Sequence, residues 1–224
     1  MALTVSLIGG ESSGKSTLAQ ALHARLSAPS GLPSALVSEQ LRGWCECEGR
    51  APRQHEQAAR AAEQTAAIEA AAQTPGVAVV IADTSALVIA AYSELYFDDR
   101  SLWPEALEQQ RHHGLTLLMG LDLPWVADGL FRDSPAIREA TDAVLRRELQ
   151  RAGIPFQTLY GPLDTRLQQA LRAIGNAMGH TLVTEPPDWT RGRRPWVCDK
   201  CSDPECEHRL FSDLLKQRTP RRES

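Results

Sequence analysis

The sequence predicts an α/β protein built on a doubly wound, five-stranded parallel sheet with helices on both faces, and three observations point to it. Five short apolar runs alternate with helical patterns along the chain, the order that βαβ units produce. The run at residues 77–82 is apolar throughout, as a strand buried on both faces must be. Between the first run, residues 3–8, and a segment with Leu18, Leu22 and Leu26 at helical spacing lies Gly-Gly-Glu-Ser-Ser-Gly-Lys-Ser-Thr. That arrangement is strand, glycine-rich loop and helix, in the register of a G-x-x-x-x-G-K-[ST] phosphate-binding loop.

The chemistry of such a loop depends on each residue type. Gly9 and Gly14 let the backbone bend and approach an anion closely, so successive N–H groups point at β- and γ-phosphate oxygens. The start of the following helix adds its dipole. Lys15 brings a point charge to the same oxygens, and the Ser16 hydroxyl is placed to ligate Mg2+. Gly9, Gly10, Glu11, Ser12, Ser13, Gly14, Lys15, Ser16 and Thr17 together make the expected site for a nucleoside triphosphate such as ATP.

The remaining elements follow in order. Residues 29–33 hold two prolines and a glycine and read as a turn. Residues 35–37 form a short second strand with Ser38-Glu39 at its end. Ligands in doubly wound sheets sit beyond the carboxyl ends of strands, which puts Glu39 and Arg42 within reach of a substrate; the alternative is a solvated connection. Residues 43–53, with Trp44, Cys45 and Cys47, read as an irregular polar excursion. Residues 54–73 are alanine-rich and of high helix propensity, stopped by Thr74-Pro75-Gly76.

Strand three, residues 77–82, ends at Asp83-Thr84. An acid at this place can join the Mg2+ shell or accept the proton of an attacking hydroxyl; it can equally cap the next helix. Helices through residues 87–95 and 105–111 lead to a fourth strand at 115–121. The loop of residues 122–133 is too long for a simple connection. Ser134-Pro135 supplies an N-cap and a first-turn proline for a long helix ended by Gly153. A fifth strand at 155–160 and a helix at 164–178 complete a first domain, residues 1–179.

Composition bounds the rest. The chain of 224 residues is 42% hydrophobic with a formal net charge of −4, ordinary for a globular protein and without a global pull toward nucleic acid. No apolar stretch approaches bilayer length, and the first run leads directly into the phosphate loop, so no membrane segment or leader is expected and the expected compartment is the cytosol. Residues 180–224 change character, with Trp189, Trp196 and arginine runs. Within them Cys198, Cys201, Cys206 and His208 follow a C-x2-C-x4-C-x-H pattern. Three thiolates and an imidazole can close a tetrahedral structural Zn2+ site in a small C-terminal tail, leaving no open position for catalysis. The neighbouring arginines leave nucleic-acid contact open, although a solvated basic tail reads equally well.

Three stretches together resemble one family. The phosphate loop through Leu18, Asp83-Thr84 after an apolar strand, and Trp125-Val-Ala-Asp-Gly-Leu130 are similar to the ribosylnicotinamide kinase domain of NadR-type proteins, a P-loop group often labelled AAA-type ATPase. The resemblance spans residues 3–175 and implies a P-loop NTPase moving the γ-phosphate of ATP onto a ribose hydroxyl of a nucleoside. Lys15 and Ser16 would then hold ATP and Mg2+, and Asp83 would face the hydroxyl. Glu39 and Arg42 would line the acceptor site with Trp125 and Asp128. The segment 125–138 would form a lid whose Arg132 or Arg138 neutralises the transferring phosphoryl group. A regulatory ATPase with a zinc-bearing tail that contacts a protein or nucleic acid is the alternative.

Overall fold

The computed structural model describes residues 2–28, 31–125 and 134–183, all within one unit, Met1–Val183. Strands β1 (Leu3–Ile8), β2 (Ser34–Val37), β3 (Val79–Asp83), β4 (Leu115–Met119) and β5 (Gln157–Leu159) form a single parallel sheet in the order β2-β3-β1-β4-β5. Helices α1 (Lys15–Leu26), α2 (Gln40–Glu48), α3 (Gln57–Gln73), α4 (Ala86–Phe97), α5 (Trp103–Arg111), α6 (Pro135–Ala152) and α7 (Leu163–Met178) connect and cover it.

Strand side chains alternate between faces, and the packing follows that alternation. Val5 and Leu7 of β1, Val79 and Ile81 of β3, and Leu117 and Met119 of β4 pack on α1 and α7 through Leu18, Leu22, Leu171 and Ile174. On the opposite face, Ile8 and Leu118 meet Leu87 and Ile89 of α4 and Leu145 and Leu149 of α6. Val80 and Ala82 meet Ile68 of α3 on the same side. The sheet is therefore covered on both faces, as predicted. Residues 86–93 of α4 are all buried, which is why its sequence is apolar all round rather than striped.

The strand order places β2 and β3 on one side of β1, and β4 and β5 on the other. The carboxyl end of β1 is thus the topological switch point, the crevice where doubly wound sheets bind ligands. The phosphate loop leaves β1 there.

One expectation is corrected. Residues 43–53 are not an irregular excursion throughout, because α2 runs through Gln40–Glu48. Leu41 and Cys45, four residues apart, are its buried positions, a two-residue stripe hidden in an otherwise polar segment. Gly49 ends the helix in the left-handed region at φ 67°. Beside it the Trp44 ring lies under two guanidinium groups, 4.8 Å from Arg50 and 5.1 Å from Arg60. The predicted start of α6 holds: Ser134 Oγ accepts from the Ile137 N–H at 3.3 Å, Pro135 opens the helix, and Gly153 closes it.

Candidate nucleotide-binding site

The phosphate loop is shaped by backbone needs first. Gly14, the residue before α1, sits at φ 84°, where an L side chain is strained. Gly10 is hemmed in: a Cβ there would come within 2.8 Å of the Arg138 carbonyl oxygen on α6. Ser13 Oγ donates to the Gly10 carbonyl at 2.7 Å. The Lys15 ammonium donates to the carbonyls of both Gly9 and Gly10 at 3.0 Å. No side chain caps the start of α1 and its first turn holds no acid, so its positive end is suited to an anion. Ser16 is half-buried and Thr17 exposed at that end.

Asp83 closes β3 directly opposite Leu7 of β1. It shares a face with Val79 and Ile81, the face covered by α1. The side chain is 4% exposed, and its Oδ1 has no hydrogen-bond partner among the described residues. Buried polar atoms are nearly always paired, so this oxygen is one the fold leaves for something else. Thr84 follows at φ 82°, a strained setting for a β-branched residue, with its N–H donating to the Leu7 carbonyl at 3.0 Å. Ser85, not Asp83, occupies the N-cap position of α4.

Glu39 stands at the start of α2 and pairs with Arg42 at 3.6 Å. Fully buried Gln64 of α3 brackets it: its Oε1 accepts from the Gln40 N–H at 2.9 Å, while its amide donates to the carbonyls of Ser38 and Thr84 at 3.5 and 3.4 Å. The backbone beside both carboxylates, Glu39 and Asp83, is thereby tied to one side chain. Tyr92 of α4 lies close enough to join this group electrostatically. Burial raises its hydroxyl pKa well above the usual range, and the charges of Glu11 and Glu39 raise it further.

Two arginines complete the surroundings, and only one was legible beforehand. Arg138, 4% exposed, donates to the Leu123 carbonyl at 2.9 Å, while its Nε has no partner among the described residues. Burial lowers its pKa from the ordinary guanidinium value, and the neighbouring Arg166 charge lowers it further. Arg166 of α7 was not foreseen. It is 1% exposed and reaches the Ser13 carbonyl of the phosphate loop at 2.6 Å. No sequence spacing links residues so far apart.

Of the remaining candidates, Trp125 is half-buried with an indole N–H that has no partner among the described residues. Asp128, Arg132, Cys198, Cys201, Cys206 and His208 lie outside the described residues. Among the described residues no cluster of three or more His, Cys, Asp or Glu is placed to hold a metal, and no helix is long and apolar enough to cross a membrane.

Comparison with known proteins bears on the family and the fold. A family model described as an AAA domain matches residues 4–166. No curated protein sequence matches. Among solved structures, NadR protein in complex with NR superimposes with a TM-score of 0.69 at 21% identity. NadR protein in complex with NAD and AMP-PNP does so with a TM-score of 0.66 at 20% identity. Each similarity covers 83% of this chain and about half of the NadR chain, 54% and 52% respectively; at such identity it speaks for the fold. With a phosphate loop at the switch point and the family model spread over most of its length, the chain belongs to the AAA-domain family.

Proposed function

We propose that the protein is an ATP-dependent kinase that transfers the γ-phosphate to a ribose hydroxyl of a nucleoside, with nicotinamide riboside the leading acceptor. The observation that carries the reading is Asp83: a buried carboxylate with an oxygen lacking any partner among the described residues, at the end of the strand beside the phosphate loop. A carboxylate free at this place can take the proton of an alcohol acceptor as well as join the Mg2+ shell of the nucleotide.

In this reading the N–H groups of residues 9–17 and Lys15 hold the triphosphate. The acceptor oxygen attacks the γ-phosphorus as the bond from that phosphorus to the β–γ bridging oxygen breaks. ADP departs, and the hydroxyl proton passes to the Asp83 carboxylate. Ser16 and Asp83 are the groups that would hold Mg2+, whose charge neutralises phosphate oxygens when bound. Arg138, packed against Gly10, supplies further positive charge near the transferring group. Glu39 and Arg42 would line the acceptor side, and the negative charge of Glu39 with that of Glu11, both near Tyr92, would suit a cationic base. The NadR structures that share the fold hold NR and AMP-PNP, which is consistent with this choice.

The deciding experiment is ADP release from ATP across a nucleoside panel, with a no-acceptor control. Release that depends on a nucleoside, strongest with nicotinamide riboside, is expected. Release of equal rate without any acceptor would replace the kinase reading with a regulatory ATPase.

A further inference from the structure

We propose that Arg166 is the positioning residue of the phosphate loop, fixing its phosphate-facing conformation from α7 through the segments that follow β4 and β5. This inference rests on the nucleotide-site reading above. The guanidinium is 1% exposed and spends its donors on three separate segments. Nη1 donates to the Ser13 carbonyl at 2.6 Å. Nη2 donates to the Gly120 carbonyl at 3.1 Å and to Asp122 Oδ1 at 2.6 Å, beyond the end of β4. Nε donates to the Gly161 carbonyl at 2.8 Å, beyond the end of β5. Asp122 closes the circuit, its other oxygen accepting from the Gly161 N–H at 2.6 Å.

The residue type matters. Arginine offers five N–H donors in a rigid planar fork, so one side chain can orient several carbonyls at once. Lysine, a point charge on a flexible stem, cannot keep all four acceptors in the same geometry. The contact to Ser13 has a specific consequence for the next residue. The peptide bonds are trans, and in a trans peptide the C=O and N–H point in opposite directions. Holding the Ser13 carbonyl on the Arg166 side turns the Gly14 N–H to the other side of the loop. A flipped peptide would instead press that N–H against the guanidinium. A Cβ on Gly14 would itself sit 3.7 Å from Arg166 Nη1, so the arginine packs along this turn as well as bonding to it. The circuit thus selects one orientation of the peptide leading into Lys15 and Ser16, and with it affinity for the phosphates beyond the first.

The test compares wild type, Arg166→Lys, Asp122→Asn and Lys15→Ala by calorimetric titration with MgADP and with AMP, alongside thermal melts without nucleotide. Arg166→Lys is expected to weaken MgADP by about 10-fold or more, the order for loss of a charge-assisted hydrogen bond, while AMP affinity stays within about 2-fold of wild type. Asp122→Asn should weaken MgADP in the same direction by about 3-fold. A merely structural arginine would lower the melting temperature and affect both ligands alike. Unchanged MgADP affinity in Arg166→Lys, or equal losses for MgADP and AMP, overturns the proposal. Should Arg166→Lys fail to fold, Asp122→Asn decides, and unchanged selectivity there overturns it too. Wild-type MgADP binding by Lys15→Ala would strike the nucleotide-site reading itself rather than the role of Arg166.

Discussion

The Lys15 ammonium donates to the carbonyl of Gly9, 3.0 Å away at the opposite end of the phosphate loop. The lysine therefore bridges the loop into which a phosphate would enter, 7% exposed. Lys15→Ala is expected to lower ATP turnover by about 10²–10³-fold, the scale for removing one group that stabilises developing charge. Circular dichroism should remain that of wild type. Undiminished turnover would remove the loop from the reaction.

Asp83→Asn keeps the volume and the position opposite Leu7 but loses the basic oxygen. A fall in acceptor-dependent turnover of about 10²-fold is expected, the lower range for a positioned proton acceptor, with nucleotide binding retained in part. Rates near those of wild type would leave Asp83 without a part in proton transfer.

His113 predicts a pH effect on stability that is separate from catalysis. Its half-buried ring meets the Ser6 hydroxyl of β1. Burial, aided by His112, pushes its pKa from 6.5 down to about 4. Above pH 6.5 the ring is neutral in both states and its contribution to stability is fully present. As the pH falls toward 4 the unfolded chain takes up the proton first, so stability declines over that window, by roughly 3 kcal/mol. Urea unfolding at several pH values should show this decline, and His113→Gln should lack it. An identical pH profile in the variant would assign the effect elsewhere.

The expected zinc content comes from spacing alone, since Cys198, Cys201, Cys206 and His208 fall outside the described residues. Elemental analysis of protein purified without added metal should find about one Zn2+ per chain, reduced in Cys201→Ser. A content near zero would remove the metal from this tail.

How much of this was legible in the chain depended on whether the signal was local. The phosphate loop was, because each glycine and the lysine answer to one turn of backbone. Asp83 was, because the apolar strand before it marks the sheet's ligand end. Helix α2 was missed because its buried face consists of Leu41 and Cys45 alone. The approach of Tyr92 to Glu11 and Glu39 was hidden inside α4, whose apolar sequence marks no single side. Arg166 gave no sign, since its partners are backbone carbonyls brought to it by tertiary packing from three distant segments.

The strand order also dictates when the protein can work during its own synthesis. Strand β1 emerges first yet pairs only with β3 and β4, so its hydrogen-bonding edges wait until residues 79–83 and 115–119 have left the ribosome. Parallel pairing at such separations is slow, and a waiting apolar strand invites association with other chains. A nascent chain that stops before residue 119 carries the whole phosphate loop but not the sheet that holds it in place. Nucleotide capture should therefore appear late in translation and abruptly, making ligand retention by stalled chains of increasing length a direct reading of when the central strands assemble.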